Sequence, residues 1–359
     1  MNRSCQSLSI TFYIVTLRGV QPSSRVTIRD VAARAGVSVA TVSKVLNGRW
    51  GVAAATSARV REVIDELGYE ASLVAQSLRN HRTNVIGILV ADLEPFSTEL
   101  LKGAADVIRE TDYELVVYSA GGRASDKAGW ERRYLTRLSG TLIDGAVLVT
   151  PTVVDAHSGA PIVAVDPHTG PSDLPTIDSD NLRGAQLAVE HLIGLGHRRI
   201  AMLTGRGDLQ SALLREQGYR RALSEAGLPI DPALVVEGAY DAEVSHAHAR
   251  ELLDRPDRPT ALFAANDISA IAAVEAAAAL GLRVPEDLSV VGFDNVPESA
   301  LSTPPLTTVE QPIREMGRRA VELLIELING RPVDPAHVML ATRLVVRRST
   351  AAPSTEPSA

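Results

Sequence analysis

Along residues 27–36, TIRDVAARAG, the apolar positions Val31, Ala32 and Ala35 share one helical face, which predicts a short amphipathic helix. Thr27 is placed to cap its start, with Asp30 reaching back in a variant of the capping box. Gly36 permits a tight turn, Val37 plugs the space between helices, and Ser38 is a strong N-cap. Residues 36–48, GVSVATVSKVLNG, therefore hold the second helix of a pair. Its inward face is Val42, Val45 and Leu46, and Asn47 with Gly48 forms the stop. A third helix is predicted over about residues 57–67, with Val60, Val63, Ile64 and Leu67 closing a small core and Gly68 ending it. Three helices with a glycine turn make a helix-turn-helix bundle.

From Asn84 onward the period changes. Apolar runs at 85–91, 113–119, 145–150, 161–166, 198–204, 260–266 and 288–294 alternate with helical segments. Continuous Val/Ile/Leu runs joined by helices predict parallel sheets covered on both faces. Two such series, split near residues 160–166 and rejoined near 290–312, predict two similar subdomains facing a cleft. The expected fold class is a small all-α helix-turn-helix head plus an α/β body of two doubly wound parallel-sheet subdomains.

Charge divides the chain at the same place. The whole protein has 36 Lys+Arg against 43 Asp+Glu, a net charge of -7, which argues against nucleic acid as a partner. Residues 25–82, however, hold nine basic and five acidic side chains, a net of +4, whereas residues 83–359 hold 25 and 38, a net of -13. The basic head is the part suited to DNA. Its second helix leaves Val39, Ala40, Thr41, Ser43 and Lys44 facing outward. Small side chains let a helix backbone sit deep in a major groove, where Val39 and Ala40 meet thymine methyls and Lys44 reaches guanine acceptors or phosphate. An ordinary helical hairpin with a solvated charged face fits the geometry equally well.

The run VTIRDVAARAGVSVATVSKVLNG, followed by TSARVREVIDELGY and ASLVAQSLR, decides between them, because it resembles the N-terminus of the lactose-repressor (LacI) family of bacterial transcription regulators over about sixty residues without a gap. The resemblance continues to about Val346 through EHLIGLGHRRIAMLTG, REQGYRRAL, DRPTALFAANDISAIA, VPEDLSVVGFDN and PPLTTVEQP. It implies operator contacts at Thr27, Ser38, Val39, Ala40, Thr41, Ser43, Lys44 and Asn47. It also implies a hinge helix that folds when paired with its twin on DNA, in which Leu78 wedges into the minor groove and Ala75 lets the two hinges pack. A helix of this length is marginal alone in water, and a wedge bends the duplex. The chain departs from the common pattern at Ser72 and Gln76, often Asn and Arg in the family, which bears on the central operator step.

In the body, polar residues follow the strand runs: Asp92, Asp166, Asn266 with Asp267, and Asp294. Open α/β sheets bind ligands at the carboxyl ends of their strands, and Asp, Asn and Arg can hold neighbouring sugar hydroxyls under an aromatic ring. Phe96 and Tyr240 are the available rings. Each carboxylate alone is as well explained as a helix cap. The resemblance implies a periplasmic-binding-protein-like sensing core with effector contacts at Asp166, Ser211, Arg215, Tyr240, Asn266 and Asp294. Arg215 offers a rigid fork for ligand hydroxyls or a salt bridge to a cleft acid. Asp178 and Asp180 either line the cleft or cap the helix starting near Asn181.

Other chemistry finds little support. The eight histidines form no HExxH, His246 and His248 are two apart, and there is a single cysteine, Cys5, so neither a metal site nor a disulfide is expected. There is no GxGxxG, no phosphate loop and no GxSxG, and no cofactor is expected. Residues 7–17 are apolar but too short to span a bilayer. The expected organisation is a disordered or mispredicted leader (1–24), a DNA-binding head (25–70), a hinge (71–82), an effector-binding and dimerisation body (83–348) and a disordered tail (349–359). The expected function is a cytoplasmic, nucleoid-associated homodimeric repressor of a pseudo-palindromic operator, controlled by a carbohydrate effector, neither enzyme nor membrane protein. A tetramer would need a C-terminal heptad helix, which STAAPSTEPSA cannot supply. Two alternatives are a sugar-binding protein without a DNA role, which would lack the helix-turn-helix, and a sugar-acting enzyme using Asp166 and Asp294 as an acid/base pair.

Overall fold

The computed structural model describes residues 26–46, 48, 50–69, 82–121, 129–139, 142–152, 159–169 and 173–354. The leader, Asn47, Ser72, Ala75, Gln76, Leu78 and the rest of the expected hinge up to residue 81 lie outside the described residues. Two compact units divide near Ala75 and Gln76.

The first unit contains α1 (Ile28–Ala35), α2 (Val39–Leu46) and α3 (Ala54–Leu67). At the start of α1, Asp30 Oδ2 accepts from the Thr27 backbone N–H at 2.8 Å and from the Thr27 hydroxyl at 2.6 Å. These bonds lower the Asp30 pKa, first through the Thr27 side chain. Gly36 ends α1 at φ 64°, where a β-carbon is disfavoured. Ser38 Oγ then accepts from the Thr41 N–H at 3.1 Å and caps α2. Val31, Val42 and Val60 are fully buried between the three helices, with Ala32, Ala35, Val45 and Val63 around them. Leu46, expected in this core, is 38% exposed, because it occupies the last helical position, past the buried Val42 and Val45.

The second unit has two six-stranded sheets. In the first the order is β11-β5-β4-β3-β1-β2, comprising β1 (Val85–Val90), β2 (Glu114–Ser119), β3 (Gly145–Val149), β4 (Ile162–Val165), β5 (Thr176–Ser179) and β11 (His337–Leu340), all parallel. The second runs β12-β10-β9-β8-β6-β7, from β6 (Ile200–Thr204), β7 (Val235–Glu237), β8 (Ala261–Ala264), β9 (Ser289–Asp294), β10 (Thr307–Glu310) and β12 (Arg343–Val345). Among the described strands only β12 is antiparallel to its neighbour. All seven apolar runs are strands. Strands β5, β7, β10, β11 and β12 have no counterpart among them.

Helices cover both sheets. On the first, α4 (Pro95–Ile108) packs against α11 (Ile313–Ile328) with Leu100, Ala104, Met316 and Ala320 buried between them. Here two glycines permit the approach: a β-carbon on Gly103 would overlap the Arg314 carbonyl, and one on Gly317 would overlap the Leu100 carbonyl. The first subdomain also carries α5 (Trp130–Leu138). The second subdomain holds α6 (Asn181–Gly194), α7 (Gln210–Glu225), α8 (Ala242–Leu253), α9 (Asp267–Ala279) and the short α10 (Pro297–Leu301). Among the described residues no helix is long and apolar enough to cross a membrane.

Among the described residues the chain crosses between the sheets three times, from β5 to α6, from β10 to α11, and from β11 to β12. The split expected near residues 160–166 therefore falls at 179–181, because β4 is followed by one more strand of the same sheet. That strand, TIDS, has one apolar residue, Ile177, and so no apolar run to announce it. The tail expected to be disordered from residue 349 is also different. Ser349 is fully buried; its Oγ accepts from the Thr307 N–H at 2.8 Å and donates to the Val290 carbonyl at 2.6 Å. The Ala351 N–H donates to Ser289 Oγ at 3.0 Å. A polar strap needs no apolar side chain to be ordered when its hydroxyls and amides complete the edge of a sheet.

Candidate ligand cleft and nucleic-acid interface

Between the two subdomains lies a cleft of about 310 Å³, lined from both sheets. It brings together all seven residues expected at an effector site: Phe96, Asp166, Ser211, Arg215, Tyr240, Asn266 and Asp294. Phe96 is in the first turn of α4, Asp166 follows β4, Ser211 and Arg215 are on α7, Tyr240 follows β7, Asn266 follows β8, and Asp294 ends β9. Asp92 joins them. Asp178 and Asp180 do not line it; Asp180 Oδ1 caps α6 by accepting from the Arg183 N–H at 3.0 Å.

The other strand-end polar residues separate into helix caps and groups that only face the cleft. Asn266 Oδ1 accepts from the Ser269 N–H at 2.9 Å and so caps α9 while facing the cleft. Asp166 and Asp294 cap nothing. Ser211 Oγ donates to Asp166 Oδ2 at 3.0 Å, and the Gln210 N–H donates to the His168 carbonyl at 3.1 Å, two bonds that join the subdomains across the cleft. A third contact, His168 Nδ1 to Asp208 Oδ2, is 3.3 Å.

Arg215 is 4% exposed and held on several sides. Its Nε donates to Asn181 Oδ1 at 2.8 Å, a terminal nitrogen donates to the Ala265 carbonyl at 2.5 Å, and the same nitrogen lies 3.5 Å from Asp294. Its guanidinium carbon stands 3.9 Å from the centre of the Phe293 ring, within cation–π range. The fork expected to face a ligand is thus largely engaged inside the protein, and the salt-bridge reading of Arg215 holds at Asp294.

Burial sets the protonation of the cleft. It pushes Asp294 up to about 7 and raises Asp166, with Arg215 opposing it in both cases. Tyr240 is pushed up to about 12 by burial. Carboxyls whose burial outweighs the partners they already have favour ligands that donate hydrogen bonds to them or accept their proton. The backbone is strained at the same place. Thr150, Asp166, Ala239, Tyr240 and Asp294 all line the cleft and all have positive φ, at 47°, 49°, 53°, 60° and 114°. Non-glycine residues in this region cost energy and cluster where side chains must be aimed.

Trp130, Thr150, His168, Arg206 and Gln311 also line the cleft and were not anticipated. Gln311 had a signal, since it stands in the PPLTTVEQP run just beyond β10. Trp130 had none: it begins α5, remote from any recognised strand end. Among the described residues no group of three or more His, Cys, Asp or Glu is placed to hold a metal ion.

In the first unit, Val39, Ala40 and Lys44 are exposed on α2, and Thr41 and Ser43 are half-buried beside them. Ser38 and Thr41 hold each other, Oγ to Oγ1, at 2.9 Å. Thr27 is exposed at the start of α1, its hydroxyl turned to Asp30. Asn47, Ala75 and Leu78 lie outside the described residues.

Comparison with known proteins agrees with this geometry. Residues 27–72 match the family described as bacterial regulatory proteins, lacI family, and residues 189–350 match a periplasmic binding protein-like domain. The HTH-type transcriptional repressor PurR of Aliivibrio salmonicida is 36% identical over 336 residues, covering 90% of this chain and 98% of its own. A structure of the transcriptional regulator CelR in complex with cellobiose matches at 35% identity and a TM-score of 0.67, covering 90% of this chain and all of its own. The lac repressor dimer bound to operator and the anti-inducer ONPF matches at 30% identity and a TM-score of 0.78, covering 91% and 99%. The chain belongs to the LacI family of bacterial transcription regulators, and it is a DNA-binding regulator rather than an enzyme.

Proposed function

We propose that this regulator is a homodimeric repressor of a pseudo-palindromic operator whose DNA affinity is set by an uncharged, polyhydroxylated ligand in the cleft. The observation that carries the reading is the convergence of Asp166, Ser211, Arg215, Tyr240, Asn266 and Asp294 from both sheets on one cleft. The cleft carboxyls of Asp92, Asp166, Asp241 and Asp294 disfavour phosphorylated or carboxylated ligands, while hydroxyl groups satisfy them as donors. The CelR complex with cellobiose and the lac repressor complex with ONPF supply precedents at similar coverage. Closing or opening the cleft would shift the two subdomains and so bias DNA binding, a coupling typically of about 1–3 kcal/mol. Two heads with two-fold symmetry would read two half-sites, and the protein would work in the cytoplasm at the nucleoid.

The test is a thermal-shift screen of the full chain against pentoses, hexoses, disaccharides, glycosides, nucleosides and purines. A ligand at 100 times its Kd adds about 2.7 kcal/mol of stability. A carbohydrate hit abolished by Arg215→Ala supports the reading. Stabilisation only by an anionic sugar phosphate, or a hit insensitive to Arg215→Ala, contradicts it.

A further inference from the structure

The most exposed large apolar side chain among the described residues is not on the body but in the DNA-binding unit. Trp50 is 98% exposed, ahead of Leu301 at 82%. It stands four residues beyond the end of α2, between Gly48 at φ 57° and Gly51 at φ 99°. Two residues later Val52 turns inward and packs on the three-helix core, so that core is closed without the indole. An aromatic side chain carries a large apolar area, and leaving all of it in water has a cost that nothing inside this unit offsets.

We infer that Trp50 is a DNA-contacting residue, laying its indole against the operator backbone beside the groove that α2 enters. Three observations point to DNA as the occupant. The loop continues directly from α2, whose outward Val39 is itself 41% exposed and whose last residue, Leu46, is 38% exposed, so Trp50 extends the surface that the family membership assigns to DNA. Residues 25–82 carry a net charge of +4, which attracts a polyanion and repels a second copy of the same head. The indole offers a flat apolar face for a deoxyribose or base edge and a single N–H that can only donate, which suits a phosphate oxygen.

The protein provides its own probe, because its two tryptophans differ so much in access: Trp130 is 2% exposed. Acrylamide, a neutral quencher, therefore reads Trp50. The full-length protein is titrated with a duplex that it has itself selected from a randomised pool, with binding followed in parallel by mobility shift. At saturation the quenching of the accessible emission is expected to fall at least about twofold, and Trp50→Ala to bind that duplex about tenfold more weakly, with Trp50→Phe between. The melting temperature of Trp50→Ala is expected to equal that of the parent, since the side chain touches no core. Unchanged quenching in the saturated complex, or Trp50→Ala affinity within about twofold of the parent, overturns the assignment. Protection that grows with protein concentration in the absence of DNA overturns it as well, by giving the indole to a second head.

Discussion

Gln311 joins the cleft to the strands that cross between the subdomains. Its Nε2 donates to Asp294 Oδ1 at 2.6 Å while its Oε1 accepts from the Ser179 hydroxyl at 2.5 Å. Ser179 ends β5 at the first crossing, and Gln311 lies on the second. Next to Ser179, Asn181 holds Arg215. A ligand group that moves Asp294 or Arg215 therefore pulls on two of the three crossing strands at once. Gln311→Leu keeps roughly the same length but strands the buried Asp294 and Ser179 oxygens. It should cost about 1–3 kcal/mol, read as a lower urea midpoint with an unchanged slope. Gln311→Glu should be worse at pH 8 than at pH 5, because it adds a second carboxylate beside Asp294.

The pH dependence of stability follows from Asp294 itself. Burial raises its folded pKa to about 7, above the ordinary 3.8. Between those values the folded state holds a proton that the unfolded state has lost. Stability of the ligand-free protein should therefore fall as pH rises through this window and level off above it, with a slope from this group of up to about 1.4 kcal/mol per pH unit. Asp294→Asn mimics the protonated form. Melting curves at pH 5 and pH 8 should show the variant losing the part of the slope that Asp294 supplies, and a parent slope retained in full would refute the assignment.

Gly103 and Gly317 predict a packing defect that composition alone would not suggest. Each faces a backbone carbonyl of the opposite helix, and backbone cannot move aside as a side chain can. Gly103→Ala or Gly317→Ala should destabilise the protein by about 1–3 kcal/mol or more, even though alanine is the better helix former. Gly207, where an added β-carbon would meet nothing within 4 Å, is the control: Gly207→Ala should change the melting temperature little.

The C-terminal strap gives a fourth expectation. A chain ending after Arg348 loses the Ser349 hydroxyl and the Ala351 amide and carbonyl that complete β9 and His197. Such a truncation should lower the melting temperature, whereas one ending after residue 354 removes no described contact. Ser349→Ala alone should reproduce part of the loss, about 1–3 kcal/mol for buried groups left without a partner.

How much of this was legible in the sequence depended on how locally each feature is encoded. The central strands β1, β3, β8 and β9 are nearly continuous apolar runs, and runs survive any tertiary context. Strands such as TIDS, TTVE and RLV are three or four residues long and hold at most two apolar residues each; their pairing is decided by neighbours far along the chain. The cleft divides the same way. Asp166, Asn266 and Asp294 stand at the ends of recognisable strands, where the parallel-sheet rule places ligands. Trp130 reaches the cleft from the start of α5, away from any recognisable strand end, Gln311 reaches it from the second crossing, and Ser349 is ordered only because β9 and β10 offer it partners. Leu46 misled for the opposite reason: helical spacing describes an infinite helix, and α2 ends at that residue.

The triple crossing also governs what can be done with the gene. No single cut yields one subdomain intact, because a fragment ending at residue 180 contains β1 to β5 but lacks α11 and β11, which cover and extend that sheet. Its complement would carry α11 with nothing to cover Met316 and Leu324. Either half made alone should be prone to aggregation, and a premature stop anywhere between α6 and α11 should yield no usable sensor. Within the body, recombination with a relative must exchange both halves together or join segments at all three crossings.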